Sequence, residues 1–93
     1  MRRISTNSEF EKAVGYSRAV VDDDYVHVSG TTGFDYETMT ISEDVVEQAH
    51  QAFGNIARTL AAARVSFADL VRVTYYIADA DDYEALMPVF KQY

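Results

Sequence analysis

"YVHVSGTTGFD", Tyr25 to Asp35, begins as a strand and then changes character. Tyr25, Val26, His27 and Val28 are the β-branched and aromatic types that suit a pleated, half-buried surface. Ser29, Gly30, Thr31, Thr32 and Gly33 then add almost no side-chain bulk. Two readings of that run stand. Glycine serves turns, and it also serves places where backbone must meet a ligand. On residue type alone the plain turn is the commoner of the two. No lysine follows the glycines and no G-x-G-x-x-G pattern follows the strand, so the run is neither of the usual phosphate-binding loops.

The segments on either side set the fold class. Upstream, "SRAVV" (Ser17–Val21) reads as a strand, Asp22, Asp23 and Asp24 as a polar tip, and Tyr25–Ser29 as the return of a hairpin. In the return strand Tyr25, His27 and Ser29 share one face. Val26, Val28 and Gly30 share the other, which should be core. Arg3–Thr6 reads as a short first strand. Downstream, Ser42 to about Val65 is a helix, with Ser42 placed to N-cap and Glu43 and Asp44 at the positive end of its dipole. Val46, Ala49, Phe53, Ile56, Ala57 and Leu60 form its apolar stripe, and Gln48, Gln51, Asn55, Arg58 and Thr59 its polar remainder. Gly54 inside the helix reads as a close helix–sheet contact. "SFADLVRVTYYIAD" (Ser66–Asp79) holds the strongest strand pattern, with Val71, Val73, Tyr75 and Ile77 on one face. A second helix follows from about Asp81 behind Asp79, Asp81 and Asp82, with Tyr83, Leu86, Met87 and Phe90 as its apolar face and a kink or restart expected at Pro88. The order β-β-β-α-β-α predicts an α+β fold, an antiparallel-rich mixed sheet with both helices on one face.

Composition narrows the function. The 93 residues make one domain, 1–93, of globular composition, 48% apolar and 25% charged. No apolar run approaches the length of a membrane span. "MRRISTNSEFEK" has no hydrophobic stretch behind its arginines, so the chain reads as cytoplasmic and not as secreted. With no cysteine, disulfides, thiolate catalysis and cysteine-type zinc sites are excluded. A formal charge of −7 opposes a phosphate backbone, so no nucleic-acid partner is expected. His27 and His50 are the only histidines, and neither has a His or Cys neighbour in sequence, so no metal is expected. Asp22–Asp24 lacks the spacing of a calcium loop and reads as a solvated tip. Tyr16 directly precedes a strand, where its ring could cap the core or line a cleft. The open edges of such a sheet invite pairing, either with another chain or with residues that continue the natural domain past Tyr93.

Four stretches in order resemble one family. "GYSRAV" (Gly15–Val20), "VHVSGTTG" (Val26–Gly33), "QAHQAFGNIARTLAAA" (Gln48–Ala63) and "DLVRVTYYIADADDYEALMPVF" (Asp69–Phe90) match the Rid, or YjgF, family of reactive intermediate deaminases across nearly the whole chain. The resemblance implies a homotrimer whose sheets form a barrel-like core, with the helices outside and ligand clefts between subunits. It implies hydrolysis of enamines and imines, such as 2-aminoacrylate, to 2-keto acids and ammonia without cofactor or metal. By the same resemblance Tyr16, Ser29, Gly30 and Thr31 bind ligand in the cleft, Gly30 through its N–H. A substrate-gripping arginine and a water-positioning glutamate of active members fall beyond Tyr93, so the resemblance implies a C-terminally incomplete domain. Arg18 and Arg72 are the candidates within the chain for a replacement grip. A ligand-contacting asparagine of the family falls at Met87. The departures support an alternative, a Rid-fold oligomer that binds a small molecule without catalysis.

Overall fold

A computed structural model describes residues 2–5 and 18–93. Strands β1 (Arg2–Ile4), β2 (Ala19–Asp22) and β3 (Tyr25–Val28) form an antiparallel sheet in the order β1-β2-β3. Ala19 pairs with Val28 and Asp22 with Tyr25, which leaves Asp23 and Asp24 as the hairpin tip. Asp23 adopts φ 47°, a left-handed conformation that a short polar side chain tolerates. Ile4, Ala19 and Ala63 form a buried cluster, and Val21, Val26, Val28 and Val65 pack against it. The valine face of the hairpin therefore packs on the core, as the alternation predicts, but Gly30, assigned to the same face, is exposed.

The long helix, α1, runs from Val45 to Ala62. Asp44, not Ser42, is its N-cap, because the Asp44 carboxylate accepts from the Val46 N–H at 2.8 Å. Ser42 acts one step earlier: its hydroxyl accepts from the Asp44 N–H and donates to Glu47. At the other end the Val65 N–H reaches the Leu60 carbonyl and the Arg64 N–H reaches Ala61, both at 3.0 Å. That pair of bonds is a Schellman closure, and it places Arg64 at φ 64°. Phe53 and Leu60 are buried as the stripe predicts, but so are Asn55 and Thr59 from the supposed polar side. Nothing packs within 4 Å of a Cβ built on Gly54, so that glycine marks no close contact with the sheet.

Two elements differ from expectation. A second antiparallel pair, β4 (Phe34–Asp35) with β5 (Thr40–Ile41), follows the glycine run. Its turn is built by Asp35, whose carboxylate accepts from the Glu37 and Thr38 N–H groups at 3.0 and 3.4 Å. The other difference is the segment after the short 3-10 turn Phe67–Asp69. Residues 70–78 form no ladder with any described strand. Val71 is 84% and Tyr76 95% exposed. The predicted inward face packs only in its later half: Tyr75 stacks on Phe90 at 4.0 Å and meets Phe53 edge-on, and Ile77 is half-buried, whereas Val71 and Val73 on the same face are exposed. β-propensity is local, whereas a ladder needs a partner strand alongside, and none of the described residues supplies one.

Asp79 caps a 3-10 turn, Ala80–Asp82, that leads into α2, Tyr83–Gln92. The helix passes through Pro88 without a restart. Pro88 and Glu84, whose carbonyl it leaves unbonded, are both exposed, so water can take that acceptor. Leu86 and Val89 are the buried residues of α2. Phe53 of α1 sits among Phe67, Tyr75, Phe90 and Tyr93, stacked on the last at 4.4 Å, and so joins the two helices to residues 67–78. Among the described residues no helix is long and apolar enough to cross a membrane.

Candidate functional site

The glycine run is a loop held at both ends and bare at its apex. Its near limb leaves β3 with the Ser29 N–H bonded to the Arg18 carbonyl at 2.9 Å. Its far limb is fastened to α1 twice. Gly33 is buried so closely on the helix that a Cβ there would lie 2.5 Å from the Gln48 carbonyl oxygen and 2.7 Å from the Gln48 Cα. Asn55, seven residues further along the helix, donates through Nδ2 to the Thr32 carbonyl at 3.2 Å and the Phe34 carbonyl at 2.8 Å. Its Oδ1 accepts from Gln51 at 2.9 Å and from Arg58. Every polar atom of this buried amide is therefore engaged.

Between the two limbs lies Gly30. It is exposed, a Cβ there would meet nothing within 4 Å, and its φ is outside the left-handed region. Neither packing nor backbone conformation requires glycine at this position. The two glycines thus answer the sequence question differently: Gly33 is small because a helix backbone lies against it, and Gly30 is small without any internal reason. Beside it the Thr31 hydroxyl donates to the Ser29 carbonyl at 2.9 Å, a local side-chain bond that spans Gly30. Ser29 and Thr31 are half-buried. Tyr16 lies outside the described residues.

Under the loop, Arg18 is buried at 1% exposure. Its guanidinium donates to the Tyr36 hydroxyl at 3.1 Å and lies 5.0 Å from the centre of that ring. The Tyr36 hydroxyl in turn stands 3.5 Å from the Thr32 hydroxyl. Arg18 so braces the loop from beneath, whereas Arg72 is exposed on the unpaired segment and away from any described partner strand. Among the described residues no group of three or more His, Cys, Asp or Glu is placed to hold a metal ion. His27 is exposed on β3, and His50 is half-buried on α1 with Nδ1 3.0 Å from the Tyr93 hydroxyl. Met87 lines an apolar hollow with Tyr75, Ile77, Tyr83 and Phe90.

Sequence reasoning singled out Ser29, Gly30 and Thr31 as candidates, but it missed the contacts of Asn55 and the distinct task of Gly33. One signal was present. Asparagine is a poor residue for a helix interior, and its presence in the middle of the helix asks for a side-chain hydrogen bond that compensates.

The profile of the family described as endoribonuclease L-PSP matches residues 6–93. The chain belongs to the YjgF/Rid family. A 2-iminobutanoate/2-iminopropanoate deaminase from Capra hircus is 38% identical over 95 aligned residues, covering 100% of this chain and 69% of the goat protein. The human protein of the same name is 34% identical over the same shares. Among solved structures, a member of the YjgF/YER057c/UK114 family from Mycobacterium tuberculosis superposes with a TM-score of 0.86 at 36% identity, covering 98% of this chain and 71% of that one. RidA from an Antarctic Psychrobacter species gives a TM-score of 0.79 at 39% identity over 83% of this chain and 63% of that one. The α+β architecture of antiparallel strands with two helices is thus the YjgF/Rid fold.

Proposed function

We propose that this chain is a cofactor-independent imine and enamine deaminase, acting in a cytoplasmic homotrimer whose intersubunit cleft is lined by Tyr16, Ser29, Gly30 and Thr31. The reaction is hydrolysis. Water adds to the C=N carbon of an imine derived from 2-aminoacrylate or a similar compound, and the resulting carbinolamine expels ammonia to leave the 2-keto acid. The observation that carries the reading is Gly30: an exposed apex with open space where a side chain would be, between limbs that are fastened down. A backbone N–H so placed can donate to a substrate carboxylate oxygen, a bond worth roughly 1.5–3 kcal/mol when the acceptor is charged. The similarity to proteins named 2-iminobutanoate/2-iminopropanoate deaminase supports the same reaction. The formal charge of −7 supports a small substrate over a ribonucleic acid, whose phosphates would be repelled.

The deciding assay follows ammonia and 2-keto acid from enamine generated in situ, with wild type and Gly30→Val compared. Wild type should accelerate hydrolysis, and the valine side chain should hold the substrate carboxylate off the backbone N–H and so lower kcat/KM about 10- to 100-fold, the equivalent of one charged hydrogen bond. A valine variant as active as wild type would remove Gly30 from the site. A second reading, binding without turnover, is favoured by Met87, an apolar side chain in an apolar hollow at the place where the family resemblance expects an asparagine. It predicts that a 2-keto acid such as pyruvate binds by calorimetry while hydrolysis stays at the uncatalysed rate.

A further inference from the structure

We infer that Asn55 is a positioning residue for the Gly30 apex, and not merely a filler of the helix–loop contact; the inference rests on the deaminase reading for its kinetic arm only. The Asn55 amide is 3% exposed and lies in the middle of α1, yet it donates both of its protons out of the helix, to the Thr32 and Phe34 carbonyls. Those residues follow Gly30 by two and four positions. Gly33, between them, is pressed on the helix backbone at Gln48. The far limb is therefore held by an amide fork above and below a steric stop, and the near limb by the β2–β3 ladder and the Ser29–Arg18 bond. Two residues, Gly30 and Thr31, span the gap between these anchors. With both ends fixed over so short a span, the direction of the Gly30 N–H follows from the anchors. Releasing one of them lets the apex turn.

The Asn55 side chain is itself held. Gln51 and Arg58 both donate to Oδ1, so the amide cannot flip without setting two donors against its own N–H₂ group. The far-limb carbonyls are then presented with donors in one orientation only. Asn55→Asp keeps the shape and the Oδ acceptor for Gln51 and Arg58, but sets a carboxylate oxygen against the Thr32 and Phe34 carbonyls. Oxygen facing oxygen repels, and the far limb should lift while α1 stays folded.

The test compares wild type, Asn55→Asp and Val89→Ala. Val89 is a buried residue of α2 that supplies a general loss of stability. All are measured well below their melting temperatures, so that each is folded. Three quantities are read: the melting temperature, the ¹H–¹⁵N resonance of the Gly30 amide, and kcat/KM for in situ enamine. Asn55→Asp should shift the Gly30 resonance and lower kcat/KM at least tenfold. Val89→Ala should lower the melting temperature while leaving the Gly30 amide and kcat/KM unchanged. If the two variants affect the Gly30 amide alike, Asn55 is structural and the inference is overturned. If wild type itself has no turnover, the deaminase reading fails, while the amide comparison still decides the positioning role. Should Asn55→Asp not fold, Asn55→Ser removes the same fork without adding charge, and its Gly30 amide is judged by the same criterion.

Discussion

Alanine at Gly33 and alanine at Gly30 should have opposite effects, although the two positions are three residues apart in one loop. At Gly33 the new Cβ would stand 2.5 Å from the Gln48 carbonyl oxygen, 2.7 Å from its Cα and 2.8 Å from its Cβ. Carbon atoms in contact prefer about 3.5–4.0 Å, so the overlap is roughly 1 Å. The atoms met are helix backbone and the first side-chain carbon, none of which can rotate aside. Either the loop lifts or α1 bends, at a cost of about 1–3 kcal/mol for overpacking. Lifting the loop also stretches the Asn55 bonds to Thr32 and Phe34, each worth about 0.5–1.5 kcal/mol, which pushes the estimate to the upper end, about 3 kcal/mol. For a domain of this size that lowers Tm by roughly 12–24 °C, at about 4–8 °C per kcal/mol. At Gly30 the Cβ would meet nothing within 4 Å and φ is ordinary. Alanine there restricts the unfolded chain and should be neutral or stabilising by up to about 1 kcal/mol. Circular dichroism melts at matched protomer concentration measure both, since self-association would otherwise move Tm. A Gly33→Ala protein melting within about 2 °C of wild type would refute the close-approach argument, given the roughly 1–3 kcal/mol expected of overpacking. A Gly30→Ala protein that melts below Gly33→Ala would show that the apex is under internal constraint after all.

Phe53→Ala should cost about 3 kcal/mol in chemical denaturation, the lower end of the range for a buried aromatic, because Tyr75 and Tyr93 around it are partly exposed and can close over the gap; a loss below about 1 kcal/mol would place the ring at the surface. Arg64→Gly should stabilise by roughly 0.5–1 kcal/mol in the same assay, since an exposed arginine at φ 64° carries left-handed strain that glycine does not. Light scattering at micromolar concentration should give three times the chain mass of 10.5 kDa, and a monomer would remove the intersubunit cleft.

What the sequence determined by itself is whatever depends on neighbours along the chain. The β2–β3 hairpin was legible because alternation and an aspartate tip are local, and α1 because its apolar positions recur within each turn. The core face of β3 followed from the same period. Helix ends were displaced by only a few residues, since Ser42 and Asp44 are both competent caps and only backbone geometry selects between them. The family, too, was legible, as four motifs in order. Tertiary structure decided what depends on residues far apart. The Val71–Ile77 pattern favours a strand, but a ladder is a property of two segments, and residues 70–78 pair with none of the described strands. Asn55 read as a surface residue of the helix because its partners, Thr32 and Phe34, are more than twenty residues away in the chain. Gly30 and Gly33 are indistinguishable as letters. They separate only when α1 is laid against the loop, because a helix backbone excludes a Cβ at Gly33 and leaves open space at Gly30.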